Sequence, residues 1–253
     1  MADEFSLDAP GGRFPPTRHS AVLAVGSDDP AERARSFEIL VRAYYKPVYK
    51  HLRLRWHKDA EEARDLAQGF FARAFEKGDL AGFDRHKARF RTYLKLCLDR
   101  FAMEQARRER RQKRGGGAVR LGLDFDEAER ELARADLTSD PEQTFDREWV
   151  RGLFASAVAS LREACERAGK PERFTLFTRY ALEEGPERPT YAALAAELGI
   201  SVTDVNNHLA AARRQLRALV IERLRELTAD EEELREEARA VLGVALPAAG
   251  GAP

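Results

Sequence analysis

The stretch YAALAAELGISVTDVNNHLAAARRQLR, from Tyr191 to Arg217, constrains this chain more than any other, because its punctuation points to one local fold. Apolar residues recur at Tyr191, Leu194, Ala195 and Leu198 with helical spacing. Gly199 follows, a residue that adopts the left-handed conformation ending a helix at little steric cost. Ser201 then restarts the chain: its hydroxyl suits an N-cap, with Asp204 three residues on as the acidic partner of a capping box. Val205, Leu209, Ala212 and Leu216 form one apolar stripe, and the opposite face carries Thr203, Asn207 and Arg214. Two short helices around a Gly-centred turn, with polar groups outside the second, predict a helix-turn-helix whose second helix lies in a major groove and meets phosphates and base edges. The plainer alternative is a helical hairpin in a core.

The length of 253 residues accommodates one large domain or two small ones, and the charge pattern favours two. Lys plus Arg and Asp plus Glu both number 43, so the net charge of zero attracts no polyanion by itself. The distribution is another matter. Residues 85–120 hold thirteen Lys and Arg against three acids, whereas 124–148 hold ten acids against three bases. Cys97 and Cys165 are far apart and sit in helical apolar patterns, which predicts packing residues rather than a disulfide framework or a metal cluster. No apolar run approaches a membrane span, and the N-terminus lacks the basic and apolar regions of a signal peptide, so the expectation is a cytoplasmic protein without membrane insertion. There is no Gly-rich phosphate loop, no nucleophile elbow and no close histidine pair. The sequence therefore predicts no enzyme, no catalytic residue, no metal and no cofactor.

Along the chain, 1–16 is a Gly- and Pro-rich leader expected to be disordered, and 17–114 an N-terminal helical domain. Phe37, Leu40, Val41, Tyr44, Val48 and Leu52 mark a first long helix, in which Pro47 predicts a kink or two abutting helices. Asp59 to Lys77 is a second helix with Ala63, Leu66, Ala67, Phe70 and Ala74 inward. Phe71 and Phe75 widen its apolar stripe past one face, so either a neighbouring helix or a partner covers them. A third helix starts at Phe90 with Phe90, Tyr93, Leu94, Cys97, Leu98 and Phe101 inward, then changes into RRERRQKR. That run puts cations on every side of Arg107 to Arg114, which must be solvated or bound. Aromatics and arginines on one helix suit nucleic acid, with Phe90 or Tyr93 stacking on an unpaired base. Residues 115–145 predict a flexible acidic linker with at most short helices, 146–228 a C-terminal helical domain ending in the helix-turn-helix, and 229–253 an acidic helix and loose tail. The fold class is all-α.

In this order of parts the chain resembles the sigma factors of bacterial RNA polymerase, specifically the compact extracytoplasmic-function (ECF) type, over most of its length. The family carries a helix with a pattern like D-L-x-Q-x-x-F, matched by Asp65-Leu66-Ala67-Gln68-Gly69-Phe70-Phe71. The resemblance implies docking of core RNA polymerase on Asp65, Leu66, Gln68, Phe70, Phe71, Arg73 and Phe75. Gly69 departs from the family, which often has an acid there, and a glycine inside a helix costs about 1 kcal/mol relative to Ala. The helix from Phe90 resembles the family's promoter-melting surface, implying that Phe90, Arg91, Tyr93, Lys95 and Arg100 hold a separated strand while Arg107, Arg108, Arg110, Arg111, Lys113 and Arg114 grip backbone. The helix-turn-helix, through Ser201, Thr203, Asn206, Asn207, His208, Arg213 and Arg214, is then expected to read the upstream promoter element as duplex DNA. Two modules on one linker grip two sites with an affinity that neither has alone. By the same resemblance the acidic linker threads the polymerase channel where RNA later runs, and an anti-sigma factor is a possible further partner. The rival expectation is a stand-alone helix-turn-helix regulator that binds operators as a dimer.

Overall fold

Most helix starts among the described residues fall where a side chain can accept from the free amides of a first turn. The computed structural model describes residues 20–80, 82–109, 123–134, 140–183 and 188–246. Among these it is all-α, with no strand. Helix α1 (Ala21–Ala24) is capped by Ser20, α2 (Pro30–Arg55) by Asp29, and α3 (Ala60–Lys77) by Asp59. Then come α4 (Phe90–Glu109), α5 (Phe125–Arg134) and α6 (Pro141–Arg167), the last capped by Asp140. Helix α7 (Pro171–Phe177) runs into a π-helical turn over Thr178–Leu182. Helices α8 (Tyr191–Leu198), α9 (Val202–Glu226) and α10 (Glu231–Leu242) follow.

Helix α2 is the axis of the molecule. It buries Leu40, Tyr44, Val48, Tyr49 and Leu52 and packs against α1, α3, α5 and α6. It continues as one helix through the buried Pro47, so of the two expectations, a kink or two abutting helices, the second does not hold. A proline inside a helix costs about 3 kcal/mol, and enclosure of this helix on several sides outweighs that local preference.

The two expected domains share a core. One apolar cluster takes in Phe37 to Phe101 of the first half together with Phe145, Trp149, Leu153, Val220, Leu224 and Leu234 of the second. Tyr44 stacks between Phe145 and Trp149, each 6.4 Å away between ring centroids. The α8–α9 pair has its own small core of Leu176, Leu194, Ala195, Val205 and Leu209. A third cluster of Leu161, Cys165, Phe177 and Ala212 ties α9 to α6.

The described part of the expected flexible linker is a docked helix. Phe125 of α5 lies against Tyr45 and Tyr49. Its acids meet the cations of α2: Glu129 with Arg53 at 2.7 Å, and Glu131 with Lys46 at 3.0 Å and Lys50 at 2.7 Å. Asp126 also pairs with Arg64 of α3. Lys50 is buried and reaches Glu148 of α6 at 2.6 Å, so one ammonium joins α2, α5 and α6. Opposite charges in an apolar setting fix this helix where acidity alone suggested a flexible linker with at most short helices. The predicted linker also ends early, since α6 begins at Pro141.

Candidate nucleic-acid and polymerase interfaces

Ser201 accepts from the Asp204 amide at 3.1 Å, and the Asp204 carboxylate accepts from the Ser201 amide at 3.2 Å, completing the predicted capping box. Hydrogen bonds from the Ser201 hydroxyl and amide hold the Asp204 carboxyl below its usual range. Gly199 takes φ 66°, the left-handed conformation the turn requires. The result is a fixed angle between α8 and α9 that turns Thr203, Asn206 and Asn207 outward. These three and Arg214 are exposed and make no side-chain hydrogen bond to the described residues. His208 is half-buried, and the Arg213 guanidinium lies 5.2 Å from the Tyr180 ring centre. Ser201 differs from its neighbours, because its hydroxyl is committed to the cap.

On α3 the expected polymerase contacts divide by burial. Asp65 is exposed and Phe75 is 42% exposed, its ring 4.9 Å from that of Phe37. Leu66, Gln68 and Phe70 are buried, and Phe71 is only 1% exposed, enclosed by Phe37 and Phe70. In this conformation these four support the helix from within rather than meet a partner. Helix α2 covers Phe71, the alternative that the over-wide apolar stripe left open. Arg73 is bound to Asp79 at 3.0 Å and to Glu104 at 2.5 Å. A Cβ at Gly69 would stand 3.4 Å from the Phe101 ring of α4, an ordinary contact that does not by itself require glycine.

The basic half of the molecule divides too. Arg100, Arg107 and Arg108 of α4 are exposed, whereas Arg110, Arg111, Lys113 and Arg114 lie outside the described residues. The start of α4 is covered. Phe90 is fully buried against Tyr44 and Phe83, and its amide donates to Glu233 at 3.0 Å. It is therefore core here, not a stacking platform. The Tyr93 hydroxyl donates to the Asp79 carbonyl at 2.9 Å, and burial pushes its pKa up to about 12. Arg91, 12% exposed, lies 4.7 Å from the Trp149 ring centre and pairs with Glu237 at 2.9 Å. Lys95, 14% exposed, pairs with Asp146 at 3.6 Å and lies 5.4 Å from the Phe145 ring centre.

Sequence reasoning missed the covering group. Four acids on or flanking α10 reach Arg85, Arg89 and Arg91: Asp230 and Glu232 to Arg85, Glu236 and Glu237 to Arg89, and Glu237 again to Arg91. The signal was present in the spacing. Glu233, Leu234, Glu237 and Ala238 share one helical face at i, i+3 and i+4, so two carboxylates had to accompany the two apolar residues inward.

The described residues are all-α and present a capped, outward-facing polar helix and a separate arginine-bearing helix, the kind of surfaces that nucleic-acid-directed factors carry. The chain matches the model of the ECF sigma factor family over residues 23–222, and it belongs to that family. No curated protein and no solved structure matches it. Membership carries a role in transcription initiation, with core RNA polymerase and promoter DNA as the partners that the family implies. No helix among the described residues is long and apolar enough to cross a membrane.

Proposed function

We propose that this sigma factor docks on core RNA polymerase through α3, reads an upstream duplex element with the outer face of α9, and assists strand opening with the basic segment that runs into α4. The observation that carries the reading is the row Thr203, Asn206 and Asn207. These side chains stand exposed and unpartnered among the described residues, on a helix whose start is fixed by a capping box. Asn presents donor and acceptor together and suits the adenine edge in a major groove. Asp65 and Phe75 supply the accessible part of α3, and Arg100, Arg107 and Arg108 supply open phosphate ligands on α4. Flipped or separated bases cost a few kcal/mol, which phosphate and stacking contacts offset.

The test is gel filtration of the purified chain with bacterial core RNA polymerase, followed by opening of a library of promoter fragments. Stoichiometric co-elution with strand opening is the expected result. Failure to bind core, together with tight duplex binding, would replace this reading by a stand-alone regulator.

A further inference from the structure

Helix α10 lies wholly beyond residue 222, where the family match ends, yet with its cap Asp230 it makes a series of ion pairs with the segment just proposed to engage DNA. Arg85 is held by Asp230 and, at 2.6 Å, by Glu232. Arg89 faces Glu236 at 3.3 Å and Glu237 at 3.6 Å, and Arg91 faces Glu237 at 2.9 Å. Glu233 accepts from the Phe90 amide at 3.0 Å and from the Ala229 amide at 2.7 Å. Phe90 is the first residue of α4, so a carboxylate from α10 satisfies a free amide at the positive end of that helix. Backbone amides at a helix start, flanked by arginines, are also what a phosphate seeks. Carboxylate and phosphate therefore compete for the same donors.

We infer that α10 is an intramolecular inhibitor: it occupies the basic segment Arg85–Arg91 in the free protein and must leave before DNA phosphates can bind there. The inference rests on the DNA-engaging reading of that segment. Its chemistry suits a reversible latch rather than a permanent strut. Leu234 and Ala238 are the residues α10 itself buries in the main core, with Val241 and Leu242 only partly covered. The remaining attachment is ionic and weakens with salt at its exposed pairs. Glu237 is buried, and desolvation raises its pKa despite Arg91 and Arg89 beside it, so this carboxylate is held in a costly place. Attachment through the short connection after α9 keeps the acids at high local concentration, which DNA has to overcome. Asp146 of α6 holds Arg91 and Lys95 independently, so release of α10 frees Arg85 and Arg89 first.

The experiment compares binding of a fluorescein-labelled oligothymidine strand to the full chain and to Glu232→Lys with Glu236→Lys. Both positions are exposed, so the substitutions leave the core intact. The control is Glu163→Lys with Glu166→Lys, the same charge change at exposed positions near the far end of α6 from Asp146. Affinity of the α10 variant about tenfold above that control is expected if the closed form holds about nine-tenths of the molecules. That gain should vanish when Arg85→Ala and Arg89→Ala are added. Equal affinity of variant and control overturns the latch. If the two arginine changes still weaken DNA binding by the unmodified chain, only the latch falls; if they do nothing, the DNA reading of the segment falls with it. A second readout needs no variant: amide exchange across 231–242 and at Phe90 should accelerate when DNA is added, and unchanged exchange also overturns the latch.

Discussion

The start of α9 and the segment from Arg85 to Lys95 are both proposed to meet DNA, but the fold holds them in opposite ways. On α9 the polar row is exposed, its helix is capped from within by Ser201 and Asp204, and a small private core beneath it keeps it apart from the rest. On the other surface almost every cation has an internal carboxylate or an aromatic ring, supplied by α6 and α10. The lesson concerns what a substitution removes. An exposed, unpartnered group can be changed with little effect on folding, so its loss reports on recognition. A covered group is part of the packing, so its loss reports first on stability.

The sharpest way to strain that distinction lies on α3. Phe71→Asp removes a fully packed ring and leaves a carboxylate in its place, so it should destabilise by at least about 3–5 kcal/mol. Urea unfolding followed by circular dichroism measures this, and a near-native midpoint would show that Phe71 is not core. Next in size is Asn206→Ala with Asn207→Ala, which should cost about 1–3 kcal/mol of promoter discrimination per lost base contact. The urea midpoint should stay in place, and competition binding between promoter and random duplex provides the readout. Ser201→Ala stands between the two classes, because its hydroxyl caps rather than reads. We expect a loss of about 1 kcal/mol in stability, with Ser201→Asp restoring it; a change in promoter preference that survives that rescue would assign Ser201 to recognition.

The smallest effect is a pH dependence on the covered side. Burial pushes the Glu131 carboxyl up, but hydrogen bonds from Lys50 and Lys46 outweigh it and hold the pKa at about 2. Hydrogen bonding from Arg53 likewise keeps Glu129 low. Their folded values lie below the ordinary one of about 4.5, so the stability they contribute is present above that pH and declines as the pH falls toward about 2. Denaturation midpoints at neutral and acid pH should diverge, and Glu131→Gln should narrow the gap; an undiminished gap would place the acid sensitivity elsewhere.

The long helices were legible in the sequence from their apolar spacing, and the α8–α9 turn because it depends on neighbours in the chain: Ser201 caps the helix that follows, and Gly199 bends where a left-handed residue is needed. What escaped depends on partners far away. Phe90 reads as exposed or buried with equal ease until Tyr44 is known to lie against it. The acidic run 124–148 carries no trace of where Lys46, Lys50 and Arg53 stand, so docking of α5 was invisible. The basic segment gave its charge but not its cover, since the acids that match it lie some 145 positions later, with a separation of 145 residues between Arg85 and Asp230. Gly69 marked a departure from the family pattern, and the ring that faces it, Phe101, is a tertiary neighbour.

The shared core also sets an order of events during synthesis. Tyr44 and Phe90 belong to the first half, while Phe145 and Trp149, which complete their surroundings, come later, and Val220, Leu224 and Leu234 of the same cluster later still. A ribosome that has made α1 to α4 has released helices whose main apolar faces lack their final neighbours. Domains generally form as the chain emerges, but here the last pieces of the core arrive with α9 and α10. The cations around Arg85 are thus uncovered while the chain is nascent and become covered only after α10 has been made, so the closed form follows the synthesis of α9 and α10.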